Sequence, residues 1–287
     1  MSHQSLNIRF LAGFAALVII LGGCAAPMQE PLQVQPAKQT VAESLSALRQ
    51  LENAVPLKAD GRCVLQYHDE KGKQKREHFP VKMWMNPPVE IYMQGDVAFD
   101  PKGIVLGSNK DEFWLAVRLK EVSGYWYGRW SERDCPDRLL INPRLVLEAL
   151  GVVSAGEGEQ WSLSKENEFD VLTRRDGDVA TKKIYISTGD YLIRKIEYFG
   201  ADGRPIIVME LSKYRKVSEN FFVPGVVKIA DSAEGGDKGD SVQIIFGFIN
   251  PVKFTEKQRE RLFVRPPAQG FKNVYKIIRG KVIEQPK

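Results

Sequence analysis

Short segments that alternate apolar and polar residues, most of them followed by a turn signal, dominate the chain after residue 60. In one of them Val81, Met83 and Met85 alternate with Lys82 and Trp84. This period of two predicts β-strands with one buried face, and the Gly, Asp and Asn clusters between them predict turns. The predicted strands lie at 62–68, 81–85, 89–94, 103–107, 112–119, 124–130, 159–164, 168–174, 179–187, 191–199, 205–214, 222–230 and 241–249.

Helical signals are few. Residues 41–53 carry leucines at helical spacing behind a Thr40/Glu43 capping box, and residues 143–150 follow Asn142 as a cap and end at Gly151. Strands that are close neighbours in sequence pair antiparallel, and so few helices cannot cover both faces of a sheet. The sequence therefore predicts a mainly β (α+β) fold, in which a strongly curved antiparallel sheet forms a half-open barrel with a few helices on its concave side.

The first residues are typical of an exported protein. Arg9 precedes an uncharged apolar run from Phe10 to Leu21, and Gly22-Gly23-Cys24 follows. A cysteine directly after small residues resembles the lipobox of bacterial lipoproteins, which predicts cleavage of residues 1–23 and lipidation of Cys24. The alternative is an uncleaved signal or a plain membrane anchor, although the run is shorter than the roughly 20 residues that a spanning helix requires.

Residues 24–40 are rich in proline and glutamine and lack periodicity, so we interpret them as a flexible tether between the lipid and the domain. Residues 41–287 are then expected to form a single domain. No aspartate stands directly after Cys24, and by analogy with proteobacterial lipoproteins this favours the outer membrane, with the domain facing the periplasm.

Charge and cysteine content limit the classes of function. Removal of Arg9 with the leader lowers the net charge from +5 to +4, which is too weak and too mixed to indicate nucleic-acid binding. Cys63 and Cys135 are an even pair in an oxidising compartment, so they form either a disulfide or two separate buried thiols. The basic runs 71–76 and 257–261 fit solvated turns or faces, or a contact with lipid headgroups.

Catalytic and metal-binding motifs are missing from the sequence. His68 and His78 stand apart without ligand spacing, and there is no Gly-x-Ser-x-Gly, phosphate-loop or His-Glu-x-x-His motif. Neither histidine lies near Cys135 in sequence to act as its base, which argues against a nucleophile. We therefore expect a protein that is not an enzyme and that holds no metal or cofactor.

Methionine and aromatic residues are frequent on the predicted strands. Because methionine adapts its shape, such a surface can accept varied apolar partners, although alternating apolar residues on strands also form ordinary cores. The candidate ligand-contacting side chains, expected on the inner faces of the strands, are Met83, Met85, Ile91, Met93, Phe113, Leu115, Ile196, Tyr198, Met209, Leu211, Phe246 and Phe248.

Several strand-turn patterns resemble the lipoprotein-carrier superfamily of bacterial envelopes, the LolA/LolB-like proteins. They are Met83–Tyr92 with its Asn-Pro-Pro break, the hairpin formed by Ile104–Asn109 and Glu112–Val117, Ile193–Phe199 turning at Asp202-Gly203 into Ile206–Leu211, Phe222–Ile229, and the Phe-x-x-Pro element in Leu262–Pro267. The resemblance covers most of residues 40–270. The segment around Cys135 and the helix after it are additional, and the protruding apolar loop of the membrane-bound acceptor has no certain counterpart.

The resemblance implies a half-open barrel that holds lipid or the acyl chains of another lipoprotein, in a member that is itself lipid-anchored. The sequence also leaves a second hypothesis open, in which the core is filled and the sheet serves as a protein-interaction or sensing module of the envelope.

Overall fold

The structure is a computed structural model, and it describes residues 38–50, 54–69, 71–97, 100–120, 122–130, 142–152, 159–232 and 239–286. The predicted signal peptide 1–23, the predicted lipidation site Cys24, most of the predicted tether 24–40, Cys135 and the predicted turn 234–237 lie outside the described residues. The helices are α1 (Val41–Gln50), α2 (Pro143–Ala149) and α3 (Glu256–Leu262). The strands are β1 (Leu57–His68), β2 (Gln74–Asn86), β3 (Glu90–Val97), β4 (Asp100–Ser108), β5 (Glu112–Arg118), β6 (Ser123–Arg129), β7 (Gln160–Glu166), β8 (Phe169–Asp176), β9 (Val179–Ser187), β10 (Ile193–Phe199), β11 (Pro205–Ser218), β12 (Phe221–Asp231), β13 (Ser241–Pro251), β14 (Asn273–Ile278) and β15 (Lys281–Glu284).

The described strands form one sheet in the order β15-β14-β6-β5-β4-β3-β2-β1-β13-β12-β11-β10-β9-β8-β7. Neighbours pair antiparallel, apart from the parallel pair of β14 and β6. The two edge strands, β15 and β7, do not meet, so the sheet is curved but unclosed. The predicted fold class is confirmed: the chain is mainly β and built on one curved, open, antiparallel sheet.

Two meanders of sequential hairpins make up this sheet. β1 to β6 form the first, β7 to β13 form the second, and they join where β1 pairs with β13. That pairing runs from Leu57 opposite Pro251 to Gln66 opposite Ser241. The middle of the sheet therefore joins strands that lie far apart in the sequence.

Helices α1 and α2 pack on the face of the sheet that carries the main apolar cluster, which we call the inner face. The predicted caps are present: the Glu43 amide donates to Thr40 Oγ1 at 3.1 Å, and the Leu145 amide donates to Asn142 Oδ1 at 2.9 Å. Leu48 of α1 and Leu145 and Leu150 of the α2 region are at most 5% exposed within this cluster. These two helices lie where the half-barrel prediction places them.

Helix α3 departs from the prediction in both existence and position. Residues 257–261 form a helix rather than a turn, but no residue of α3 is buried, as the expected solvated face requires. Arg259 binds Glu90 Oε1 through Nη2 at 3.0 Å. Glu90 alternates with the inward Ile91, so α3 lies against the opposite, outer face. A Thr255/Gln258 capping box begins this helix.

The segment 263–272, which we call the C-terminal strap, covers the outer face of β4 to β6. Trp114 and Tyr125 are fully buried there, packed with Ala268 and Phe271. Tyr125 Oη donates to the Pro266 carbonyl at 2.6 Å. Because of this strap, β5 is buried on both faces, and the chain then adds β14 and β15 beyond β6.

Candidate functional site

The inner face gathers most of the apolar residues that the sequence nominated. Nine of the nominated residues are at most 7% exposed and belong to one contiguous apolar cluster. They are Met83, Met85, Ile91, Met93, Leu115, Ile196, Met209, Leu211 and Phe246. Phe113 is 4% exposed and contacts Trp130, with 4.8 Å between ring centroids. Tyr198 is half-buried and packs against the cluster. The alternation read from the sequence thus brings eleven of the twelve nominated side chains to the inner face or its border.

Phe248 is the exception, because it is 71% exposed. In the β1/β13 pairing, Gly61 lies opposite Phe246 while Asp60 lies opposite Phe248, so Gly247 is an extra residue in β13. One extra residue forms a β-bulge and moves the following side chains to the other face. Ile249 takes the inward position opposite Ala59 and packs on the cluster, and Phe248 points outward.

A row of aromatic and basic side chains crosses β7 to β10 of the second meander, close to the β8/β9 turn. Arg174 of β8 lies opposite both Trp161 of β7 and Lys182 of β9, and Lys182 lies opposite Tyr198 of β10. Leu172 and Ile184, which are two residues further along the same strands, are fully buried in the inner cluster. The alternation of strand side chains therefore places Arg174 and Lys182 on the inner face.

Lys182 forms a buried ion pair with Glu148 of α2. The two side chains are 4% and 8% exposed, and Lys182 Nζ also lies 5.3 Å from the ring centroid of Tyr198. Burial lowers the pKa of Lys182, and the Glu148 carboxylate opposes this shift. Glu148 Oε2 is buried without a hydrogen-bond partner among the described residues. This pair ties the short helix α2 to the inner face of the sheet.

A second polar contact holds the start of α1. Asp170 of β8 is fully buried and accepts a hydrogen bond from the Lys38 amide at 3.0 Å through Oδ2. Lys38 Nζ lies 5.1 Å from the ring centroid of Tyr191. Both helices on the inner face are therefore fixed to the second meander by a buried carboxylate. Sequence reasoning missed these groups, although a charged residue at an inward strand position, such as Asp170 or Lys182, is a recognisable signal.

Cys63 is 2% exposed on the inner face, and burial raises its pKa to about 12. Because Cys135 lies outside the described residues, a Cys63–Cys135 disulfide stays a prediction.

Within the described ranges, no group of three or more His, Cys, Asp or Glu side chains is placed to hold a metal ion. In the same part of the chain, no helix is long and apolar enough to cross a membrane.

A groove of 500 Å³ on the outer face is one alternative to the inner face. Its lining includes Gln66, Arg76, Glu210 and Lys228, and Glu210 pairs with Lys228 at 3.4 Å. The groove is also lined by the apolar Val64, Val208 and Ala230, so its lining is mixed, and it offers an acyl chain less continuous apolar surface than the inner face does. The inner face is thus the better candidate for an apolar ligand.

An open half-barrel with helices on its inner face is the LolA-like fold, and solved structures confirm this assignment. A domain from Vibrio parahaemolyticus, assigned as an outer membrane lipoprotein-sorting protein, is similar over 76% of this chain and 94% of its own, with a TM-score of 0.52 and 12% identity. A DUF1329 family protein from Desulfovibrio piger matches over 78% and 100%, with a TM-score of 0.52 and 11% identity. A LolA superfamily protein from Nitrosomonas europaea covers 79% and 99%, with a TM-score of 0.48 and 11% identity. No family model and no curated protein matches the sequence. At these identities, the structural likeness establishes the fold alone.

Proposed function

We propose that this protein is a non-catalytic lipoprotein of the bacterial envelope that binds lipid, or the acyl chains of another lipoprotein, against its inner face. One observation carries the proposal: the apolar inner face of an open sheet is covered by two short helices rather than by a second sheet. Within the described residues, α1 has 10 residues and α2 has 7. Helices shorter than about 12 residues are marginal by themselves, so their place depends on contacts that an acyl chain can replace.

The chemistry of the inner face suits a flexible apolar guest. Met83, Met85, Met93 and Met209 are at most 3% exposed within the cluster, and methionine repacks readily around different shapes. Each methylene of a guest that leaves water contributes about 0.8 kcal/mol. Binding of this kind requires no nucleophile, metal or cofactor, and it fits a role in lipoprotein or lipid trafficking.

The proposed location follows from the leader sequence. Acyl chains on Cys24 anchor the protein, and the residues after Cys24 favour the outer membrane, with the half-barrel facing the periplasm. Several acyl chains on one residue hold firmly where a single chain does not.

A photoactivatable fatty acid with a terminal alkyne tests the proposal on the full chain in cells. Light should attach it to inward side chains such as Met83 or Met209, which fragment-ion sequencing of the labelled peptides distinguishes from their outward neighbours. Metabolic incorporation at Cys24 is independent of light, so the same experiment carries an internal reference. Light-dependent labelling that is absent, or that falls only on outward side chains such as Phe248 when the labelled residues are identified by fragment-ion sequencing, would contradict inner-face binding.

A second candidate function has an observation of its own. Ten of the nominated inward side chains are at most 7% exposed, which is also the arrangement of a filled core. In that case the protein serves as an envelope interaction or sensing module and takes up no lipid. The labelling experiment separates the two functions, because a filled core gives no light-dependent label on the inner face.

A further inference from the structure

The inner face contains cations in a place where an acyl carrier is expected to be apolar. Arg174 and Lys182 lie side by side in the row next to Leu172 and Ile184. The β8/β9 hairpin turns between Asp176 and Val179, so the two cations lie close to the end of the sheet, while the apolar rows lie deeper. A polar rim above an apolar interior is the arrangement that receives an amphiphile with its headgroup at the rim.

Each cation is held by a carboxylate from outside the strands of the sheet. Arg174 Nη1 binds Glu159 Oε1 at 3.0 Å, and its Nε donates to Thr181 Oγ1 at 3.0 Å. Lys182 binds Glu148 Oε1, while the second oxygen of Glu148 is buried without a partner among the described residues. A carboxylate that uses only part of its hydrogen-bonding capacity inside a protein leaves a desolvation cost uncompensated.

We propose that Lys182 and the neighbouring Arg174 form a recognition site for an anionic headgroup. In this structure, with α2 packed on the inner face, the Glu148 carboxylate of α2 occupies this site. The ligand is an oxyanion at the end of an acyl chain: the carboxylate of a fatty acid or the phosphate of an acidic phospholipid. This inference rests on the proposed function, because it names the chemical class of the ligand of the same inner face.

In this proposal the headgroup of the ligand replaces the Glu148 carboxylate as the partner of Lys182, and this replacement requires α2 to move off the inner face. When α2 leaves, Glu148 leaves with it, and Lys182 is exposed at the head of an apolar surface. An acidic amphiphile then supplies both the missing anion and the apolar contacts. Its chain runs along Leu172, Ile184 and Ile196, one row deeper and roughly 7 Å further along the strands. A neutral amphiphile offers only the second contribution.

Photolabelling in isolated envelopes tests this proposal on the full chain. Photoactivatable palmitic acid is compared with photoactivatable hexadecanol, which has the same chain without the charge. The variants are Glu148→Gln, the double variant Glu148→Gln/Lys182→Met, and Lys183→Met as the matched control. Lys183 neighbours Lys182 in sequence but lies on the opposite face, in a partly exposed pair with Glu166 at 3.7 Å. The single and double variants differ only in the cation, and neither leaves Glu148 as a buried unpaired carboxylate.

Glu148→Gln should raise acid labelling of inner-face peptides about tenfold over wild type, as expected for one hydrogen bond to a charged group. Adding Lys182→Met should remove this gain without changing alcohol labelling, and Lys183→Met should behave as wild type. Unlabelled palmitate and lysophosphatidylglycerol, used as competitors, distinguish a carboxylate from a phosphate headgroup by which of them shows the Lys182-dependent affinity.

Two results would overturn the inference while the proposed function stands. The first is equal acid labelling in the single and double variants. The second is an equal rise of acid and alcohol in Glu148→Gln, which means that the helix is merely loosened. If neither amphiphile labels any variant, the proposed function itself fails, and the headgroup site fails with it.

Discussion

The buried Glu148–Lys182 pair predicts a specific pattern of stability changes. Replacing Lys182 alone by methionine leaves the Glu148 carboxylate buried without its counter-ion, because the two side chains are only 8% and 4% exposed. Breaking one partner of such a pair typically costs about 3–5 kcal/mol. The double variant Glu148→Met/Lys182→Met removes both desolvated charges and replaces them with apolar groups of similar length. Its free energy of unfolding should therefore return to within about 1 kcal/mol of wild type, or exceed it.

The neighbouring surface pair sets the scale for this comparison. Lys183 and Glu166 are 29% and 46% exposed at 3.7 Å, so Lys183→Met should change stability by less than about 1 kcal/mol. Urea unfolding, followed by circular dichroism, measures all four proteins under the same conditions. If Lys182→Met costs no more than Lys183→Met, the pair is hydrated in solution and α2 does not seal the inner face. The burial argument would then be refuted.

Three further predictions follow from single residues. Cys24→Ala should abolish labelling with radioactive palmitate and release the protein from the membrane fraction or leave an unprocessed precursor; equal labelling of variant and wild type would end the lipoprotein interpretation. Met209→Ala should cost about 2–5 kcal/mol, because Met209 is fully buried, whereas the adjacent outward Glu210→Ala should cost less than about 0.5 kcal/mol in the same urea titration. Because burial raises the pKa of Cys63 from 9.0 to about 12, the thiol stabilises the fold below pH 9 and this contribution is lost between pH 9 and pH 12. Wild type should lose about 1.4 kcal/mol more than Cys63→Ala between pH 8 and pH 10, and no difference is expected if Cys63 is in a disulfide.

The architecture was predictable because period-2 alternation is a local property of the sequence. The strands around Met83 and Met209 lie where the pattern predicts them, and the caps at Thr40 and Asn142 begin helices as predicted. A bulge is different, because it depends on which residue of the partner strand lies opposite. Nothing in the alternation of Phe246 and Phe248 shows that Gly247 is the extra residue, so the predicted inward orientation of Phe248 was wrong.

The missed elements share a second cause, which is that tertiary contacts rather than local periodicity define them. α3 has seven residues without an apolar stripe, and its Thr255 capping box was its only local signal. β14 is fixed by its parallel pairing with β6, where Asn273 lies opposite Gly124. The ion pair of Glu148 with Lys182 likewise joins a helix to a strand that is distant in sequence. The sequence can show that Lys182 is a charged residue at an inward position, but it cannot show that Glu148 is its partner.

The pairing of β1 with β13 also determines when this chain can fold. Leu57 finds its partner only when Pro251 is present, so a chain that emerges N-terminus first holds one edge of its first meander open until nearly all of its length is free. Loop closure over such a separation is slow compared with the formation of hairpins, which gives this topology a high contact order. A chain that must be threaded unfolded through a narrow channel benefits from this delay, since its sheet completes only on the far side. If the chain is exported unfolded, as its leader sequence predicts, a circular permutant that makes β1 and β13 consecutive should fold earlier and be exported less efficiently.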